Sequence, residues 1–175
     1  MTSPALVDRI QTVLAQLERA QWIPQLLTRL FIGYFFLETG WGKIHNLDAM
    51  AQRFAGWGIP FAAFNAALSG YTELIGGALI LIGLFTRLAA IPLFINMVVA
   101  ILTVKMKKVT GLDDFVELDE PVYALAFLWL FFSGPGRVSL DHVLWTRVRR
   151  RAVAAGPTGP PAAAGRAGAQ PRSGR

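Results

Sequence analysis

The chain has 175 residues, of which 54% are hydrophobic and 16% charged, and its mean hydropathy is +0.45. These values exclude an ordinary water-soluble domain and indicate a protein of the lipid bilayer. The net charge of +6 does not predict a nucleic-acid partner, because a basic run such as "RVRRR" beside a membrane segment is typical of a topology signal and a contact with anionic lipid.

The first 23 residues predict an amphipathic helix that lies on the membrane surface. Between residues 4 and 23, apolar side chains recur on one helical stripe, formed by Leu6, Ile10, Val13, Leu14 and Leu17. A helix of this kind places its apolar side among the lipid headgroups. Because the first long apolar block starts only after this segment and continues too far for a signal sequence, a cleaved signal peptide is not expected.

Four apolar blocks within residues 24–145 predict an all-α fold, namely a polytopic membrane bundle of four helices. Each block is near the roughly 20 residues that cross the hydrocarbon core, and the last is the shortest. The predicted spans are residues 24–44, 65–85, 88–104 and 120–133.

Basic residues predict the orientation of these spans. In a four-span protein both termini and the turn at Arg87 lie on the same side. That side holds Arg9, Arg19, Arg29, Arg87, Arg137, Arg147, Arg149, Arg150 and Arg151, whereas the other side holds Lys43, Arg53, Lys105, Lys107 and Lys108. The positive-inside rule therefore predicts that both termini are cytoplasmic.

Residues 146–175 are predicted to form a cytoplasmic tail that is basic at first and then disordered. From residue 152 the sequence is rich in Ala, Gly and Pro and has no apolar periodicity. Such a segment cannot bury enough apolar surface to offset the entropy lost on ordering.

Two carboxylates interrupt the predicted spans, where an ionised group costs about 2.5–3.5 kcal/mol on insertion scales. Glu38 shares a helical stripe with Tyr34, and Glu73 shares one with the small residues Ala66, Gly70 and Gly77, which predicts that Glu73 faces another helix. The candidate intramembrane polar pocket contains Tyr34, Glu38, Lys43, Tyr71 and Glu73. Lys43 lies on another side of the first span, together with Gly33 and Gly40. Glu38 and Glu73 could meet, and two interpretations stay open: a neutral, hydrogen-bonded pair of these carboxyls that only fixes helix packing, or a pocket that handles protons or binds a ligand.

Other polar residues in and around the spans have structural interpretations. Asn96 in the third span predicts an interhelical hydrogen bond. Arg87 is expected mainly to anchor the topology, and it can also bind phosphate or the last carbonyls of the second span. Ser139 predicts an N-cap for a helix that begins near Leu140, with Asp141 in its first turn.

Several short motifs resemble the DoxX family over residues 26–141. They are "GWGKI", "GIP", "YTELIGGALILIGLFTRLAA" and "GPGRVSLD". The candidate motif residues are Gly40, Gly76, Gly77, Arg87, Glu120, Gly134, Pro135, Gly136 and Asp141. The resemblance implies a four-helix integral protein of the bacterial inner membrane, in a family named for a subunit of a terminal quinol oxidase. One departure is the acidic connector at residues 113–120, where the family has a small, Gly-rich approach to the fourth span.

Three functions of different class follow from these features. The first is an accessory or anchor subunit, more an assembly component than a stand-alone enzyme, that holds oxidoreductase partner subunits at the membrane. The second is a quinone-binding oxidoreductase subunit whose carboxylates handle protons, and the third is a small transporter or proton-conducting pore. No metal site is predicted, because the chain has no cysteine and its two histidines fall at opposite ends of the spans. The glycines at positions 33, 40, 70 and 77 fit either a closed bundle or a homo-oligomer.

Overall fold

The computed structural model describes residues 4–107 and 109–154, and the side chains of residues 7–107 and 109–150. The described chain is helical and contains no β-strand, which confirms the predicted all-α class. Its helices are α1 (Pro4–Ala20), α2 (Trp22–His45), α3 (Leu47–Gly56), α4 (Ala62–Ile82), α5 (Thr86–Ala100), α6 (Leu112–Val116), α7 (Asp119–Ser133) and α8 (Leu140–Ala154). A π-helical turn, Ile101–Lys105, continues α5.

The helices α2, α4, α5 and α7 form a bundle, and each coincides with one predicted span. Two of the described helices, α4 and the combined segment Thr86–Lys105, are long and apolar enough to cross a bilayer. Helix α2 has 24 residues but carries charged side chains, and α7 has only 15 residues. The connecting helices α3 and α6 were not predicted.

Glycines bring α2 and α4 into backbone contact. A Cβ atom built at Gly33 would lie 2.7 Å from the backbone nitrogen of Leu81, and one at Gly40 would collide with the backbone of Leu74. The helices are antiparallel, since the later glycine of α2 meets the earlier residue of α4. Because these glycines pack within one chain, they are explained by the closed bundle.

The apolar core joins this helix pair to α5 and α7. Ile80, Leu93 and Phe127 are completely buried at its centre. The ring of Phe36 on α2 packs edge-on against Phe127 on α7, with 4.9 Å between ring centroids. Aromatic packing of this kind adds to the stabilisation from burial alone, and it fixes α7 beside α2.

Two flanking helices, α1 and α8, leave their apolar side chains exposed. Helix α1 lies within the segment predicted to be amphipathic, and its apolar stripe from Val7 to Leu17 does not pack on the bundle. The predicted cap of α8 is confirmed, because the Ser139 hydroxyl accepts a hydrogen bond from the His142 backbone N–H at 3.1 Å. Helix α8 extends to Ala154, so residues 152–154 are helical where disorder was predicted. The rest of the predicted disordered tail lies outside the described residues.

Candidate functional site

A buried arginine fastens one end of the bundle. The guanidinium of Arg29, only 2% exposed, donates hydrogen bonds to four backbone carbonyls. The acceptors are Pro135 at 2.5 Å, Val138 at 2.8 Å, Ile80 at 3.1 Å and Leu81 at 3.3 Å. These bonds tie α2 to the end of α4 and to the turn between α7 and α8. We call Arg29 and these four carbonyls the arginine clamp.

Motif residues build the turns around the arginine clamp. The carboxylate of Asp141 accepts hydrogen bonds from the backbone N–H groups of Phe85 at 2.9 Å and Thr86 at 3.3 Å, and so caps the first turn of α5. Gly134 and Gly136 have φ angles of 76° and 75°, which side-chain-bearing residues rarely adopt. Together with Pro135, whose carbonyl accepts from Arg29, they form the turn that follows α7.

Arg87 does not bind the end of the second span, which was one of the partners considered for it. Arg87 lies in the first turn of α5, and its Nη2 donates to the Phe132 carbonyl at 3.3 Å. It therefore binds a carbonyl near the end of the fourth span instead of the second. The last carbonyls of α4 already have donors, because Leu79 and Ile80 accept from the backbone N–H groups that follow the helix and Leu81 accepts from Arg29.

At the opposite end, a lysine and a glutamate form a buried ion pair. Lys43 Nζ lies 2.5 Å from Glu73 Oε1, and the Glu73 side chain is 3% exposed. Asn96 Nδ2 donates to the same oxygen at 2.7 Å, which confirms the interhelical hydrogen bond predicted for Asn96. Lys43 also lies 3.4 Å from the Ser69 hydroxyl. The pair thus links α2, α4 and α5, and Glu73 faces protein as predicted.

The glycine face of α2 explains why Lys43 reaches Glu73. Lys43 lies on the side of Gly33 and Gly40, as predicted, and this side packs on α4. A Cβ atom built at Gly70 would lie 3.2 Å from Lys43 Cβ, so the glycine leaves room for the lysine stem. Within α2 no acidic residue is spaced to pair with Lys43. Its ion pair with Glu73 forms only because α2 packs against α4.

A second ion pair lies at the same end of the bundle. Lys105 Nζ lies 2.7 Å from Glu120 Oε1. Lys105 ends the π-helical turn, whose hydrogen bond runs from Met106 N to Ile101 O at 2.8 Å. A π-helical turn rotates the following side chains relative to an α-helix, and such turns are frequent at functional sites. Here the last residue of the turn is the lysine that pairs with Glu120.

Both ion pairs line one cavity of about 390 Å³ between α2, α4, α5 and α7. Its walls are mainly apolar, and its aromatic side chains are Phe35, Phe36, Phe54, Trp57 and Tyr123. Two buried carboxylate oxygens, Glu73 Oε2 and Glu120 Oε2, have no hydrogen-bond partner among the described residues. We call this space the two-pair cavity. A buried acceptor without a partner is costly, and it marks a position that a donor would stabilise.

The structure brings together only part of the predicted polar pocket. Lys43 and Glu73 meet, whereas Tyr34, Glu38 and Tyr71 are exposed on the outside of the bundle. Because Glu38 is two residues from Gly40, it points about 200° away from the face that packs on α4. Glu38 therefore does not meet Glu73, and the carboxylates that line the cavity beside Glu73 are Asp119 and Glu120.

Sequence reasoning missed Arg29 and Lys105 as site residues because it counted both only as topology charges. The sequence does hold a signal for Arg29. It lies about 10 Å along α2 from the first residue of the helix, and a cation at that depth needs hydrogen-bond acceptors. For Lys105 no sequence signal marks the π-helical turn. In the described part of the chain, no group of three or more His, Asp or Glu side chains is placed to hold a metal ion.

Comparison with known proteins relates the chain to bacterial membrane proteins. It is 38% identical over 139 residues to the uncharacterized membrane protein Rv3486 of Mycobacterium tuberculosis, covering 73% of this chain and 83% of that relative. It is 35% identical over 85 residues to the putative oxidoreductase CatD of Bacillus subtilis, covering 49% of this chain and 62% of CatD.

A third relative is the inner membrane protein YphA of Escherichia coli, which is 30% identical over 122 residues, covering 67% of this chain and 87% of YphA. No solved structure matches the chain. The model of the DoxX family matches residues 25–106, which include most of α2, all of α3 to α5 and both lysines of the two-pair cavity. With this match and the extent of the similarity to Rv3486, the chain belongs to the DoxX family of membrane proteins.

Proposed function

We propose that this protein is the quinone-binding membrane subunit of an oxidoreductase assembly, and that the two-pair cavity is its ligand site. The observation that carries this proposal is the unpartnered, buried Glu73 Oε2 in a cavity with aromatic walls. A volume of about 390 Å³ lies in the range of small-molecule sites, which combine apolar walls with a few polar groups. One relative, CatD, is named a putative oxidoreductase, which supports a redox role.

The residues of the cavity fit a quinone headgroup. Phe35, Phe36 and Tyr123 offer ring faces and edges for an aromatic ligand. Glu73 offers one free carboxylate oxygen, while Lys43 and Asn96 hold the other in place. A bound quinone would supply two-electron, two-proton redox chemistry. The chain's own part would be to orient the headgroup, to keep water away and to accept a proton at Glu73 Oε2.

A cavity-filling substitution tests this site. Ala100 lines the cavity near the end of α5, and Ala100→Phe would fill part of its volume. Titration calorimetry in lipid nanodiscs should show binding of a soluble quinone analogue, duroquinone or anaerobic duroquinol, to the native protein and its loss in Ala100→Phe. Ile91→Phe is the matched control, because Ile91 is on the same helix, is 41% exposed and does not line the cavity. Absence of binding of both analogues to the native protein would refute the ligand site.

The assembly part of the proposal needs a separate test. The proposal places the centre that exchanges electrons with the ligand in a partner subunit. Isolation of the tagged protein at its native level in mild detergent, followed by mass spectrometry against an untagged membrane control, should recover an oxidoreductase in stoichiometric amount. Recovery of this chain alone would contradict the role as an assembly subunit.

The proposal also includes four membrane crossings in the bacterial inner membrane with both termini in the cytoplasm. It is supported by the position of the arginine clamp and α8 at one end and the two-pair cavity at the other. Because the chain has no cysteine, single substitutions give clean accessibility data. A membrane-impermeant maleimide applied to intact spheroplasts should label Asp113→Cys and leave Arg147→Cys unlabelled until the membrane is opened. The reverse pattern would invert the orientation.

A further inference from the structure

The buried polar atoms of the two-pair cavity that have no partner within the described chain are both carboxylate oxygens. Glu73 Oε2 and Glu120 Oε2 are buried, both belong to side chains that line the cavity, and neither has a hydrogen-bond partner among the described residues. Carboxylate oxygens of an ion pair only accept hydrogen bonds. The cavity therefore presents two acceptors that await donors.

The donors nearest to these two oxygens bind the other oxygen of each carboxylate. Lys43 and Asn96 donate to Glu73 Oε1, and Lys105 donates to Glu120 Oε1. Two hydroxyl groups in the cavity wall bond to carbonyls of their own helices: Thr39 to Phe36 at 3.2 Å and Thr103 to Val99 at 2.7 Å. The hydroxyls of Ser69 and Tyr123 can each donate or accept, so they do not favour either kind of ligand. Trp57 also contributes an indole N–H donor to the lining, in a side chain that is 37% exposed.

We infer that the two-pair cavity selects the reduced, dihydroxy form of its ligand over the oxidised form. This inference depends on the proposed quinone site. A hydroquinone carries two O–H donors, one for each free carboxylate oxygen. A quinone carries only carbonyl acceptors, which would face carboxylate oxygens without a shared proton and would leave them unsatisfied.

If the cavity selects the reduced ligand, Glu120 binds one of its hydroxyl groups and Glu73 binds the other. The Glu120 side chain is 17% exposed, and it lies in the first turn of α7. The π-helical turn presents Lys105 to it, so that one oxygen is held and the other stays free. Glu73 and Glu120 are therefore equivalent in chemistry, each a carboxylate oriented by a lysine from another helix.

Binding of the two redox forms tests the inference directly. Titration calorimetry with anaerobic duroquinol and with duroquinone should show that the native protein prefers duroquinol by roughly tenfold or more, since a hydrogen bond to a charged group contributes about 1.5–3 kcal/mol. In Glu73→Gln and Glu120→Gln, the remaining amide oxygen keeps the lysine contact and an NH₂ donor replaces the free oxygen. Each variant should shift the preference toward duroquinone.

The matched control is Glu38→Gln, because Glu38 is exposed and outside the cavity, and it should keep the native preference. Two variants are used so that poor folding of Glu73→Gln leaves Glu120→Gln as the test. Equal affinity of the native protein for both forms would overturn the inference and leave the quinone site standing. Equal weakening of both forms by the Gln substitutions would overturn the role of these two oxygens. Failure of both forms to bind the native protein would refute the proposed function itself.

Discussion

The two ends of this bundle hold buried charges in opposite ways. In the arginine clamp, Arg29 meets four backbone carbonyls, and four of its five N–H donors are used. In the two-pair cavity, each glutamate has one paired and one unpaired oxygen. Both ends tie several helices together, yet only the second leaves polar atoms for another molecule.

This difference separates a charged group that only holds the fold together from one that can also bind a ligand. A buried cation surrounded by acceptors has no capacity left for a ligand, and its removal leaves the acceptors unsatisfied. A buried carboxylate with a free oxygen in a cavity can still accept a hydrogen bond from a ligand. The fold already tolerates the partial desolvation of this oxygen. Substitutions at the clamp should therefore act on stability, and substitutions in the cavity should act on ligand binding.

The largest expected effect is from Arg29→Met. Methionine has similar length but no donor, so the carbonyls of the clamp lose their partner, at a cost of at least about 3 kcal/mol in the free energy of unfolding. Size-exclusion chromatography and thermal unfolding in detergent should show poorly folded protein. Arg87→Met is the control, because Arg87 is exposed and makes one bond of 3.3 Å, and it should remain close to the native protein. Native-like stability of Arg29→Met would remove the clamp as a structural element.

Gly40→Ala is expected to lower the free energy of unfolding by a smaller amount. The new Cβ atom would collide with the backbone of Leu74, and the resulting separation of α2 and α4 should cost about 2 kcal/mol. Gly42→Ala on the same helix meets nothing within 4 Å, and it should be neutral or stabilise the helix by up to about 1 kcal/mol. Thermal unfolding of both variants gives the comparison, and equal melting temperatures would contradict the contact.

Hydropathy and spacing predicted the four bundle helices. Long apolar runs indicate segments that lie in lipid, and regularly spaced small residues indicate where two helices pack. The buried stripe of Glu73 was predicted for the same reason. The rotation of α2 decided which polar residues meet, and it depends on packing between helices that are distant in sequence. For that reason Lys43 was placed on the correct face but without its partner, and Glu38 was considered for a carboxylate that it does not approach.

A still smaller effect on stability is expected from Glu73→Gln. The amide retains the shape of the carboxylate and can accept the bonds from Lys43 and Asn96, and the Lys43 side chain is 27% exposed, so its charge can reach water. The melting temperature should change by an amount that corresponds to about 1 kcal/mol or less. Unfolding of this variant as severe as that of Arg29→Met would erase the distinction between the two ends.

The smallest effect concerns a loop outside the bundle and leaves both ends unchanged. Hydrogen bonds from Thr110, first from its hydroxyl at 2.6 Å and then from its backbone N–H at 2.8 Å, hold the pKa of Asp114 below its ordinary value of 3.8. These bonds stabilise the loop above the ordinary pKa, and they are lost as the pH falls through the lowered value. Thr110→Ala should raise the pKa of Asp114 toward its ordinary value, as measured by carboxyl NMR titration. Because Thr110 and Asp114 do not line the two-pair cavity, duroquinol affinity should stay unchanged in this variant. A change in affinity would show that the cavity is coupled to the segment around α6.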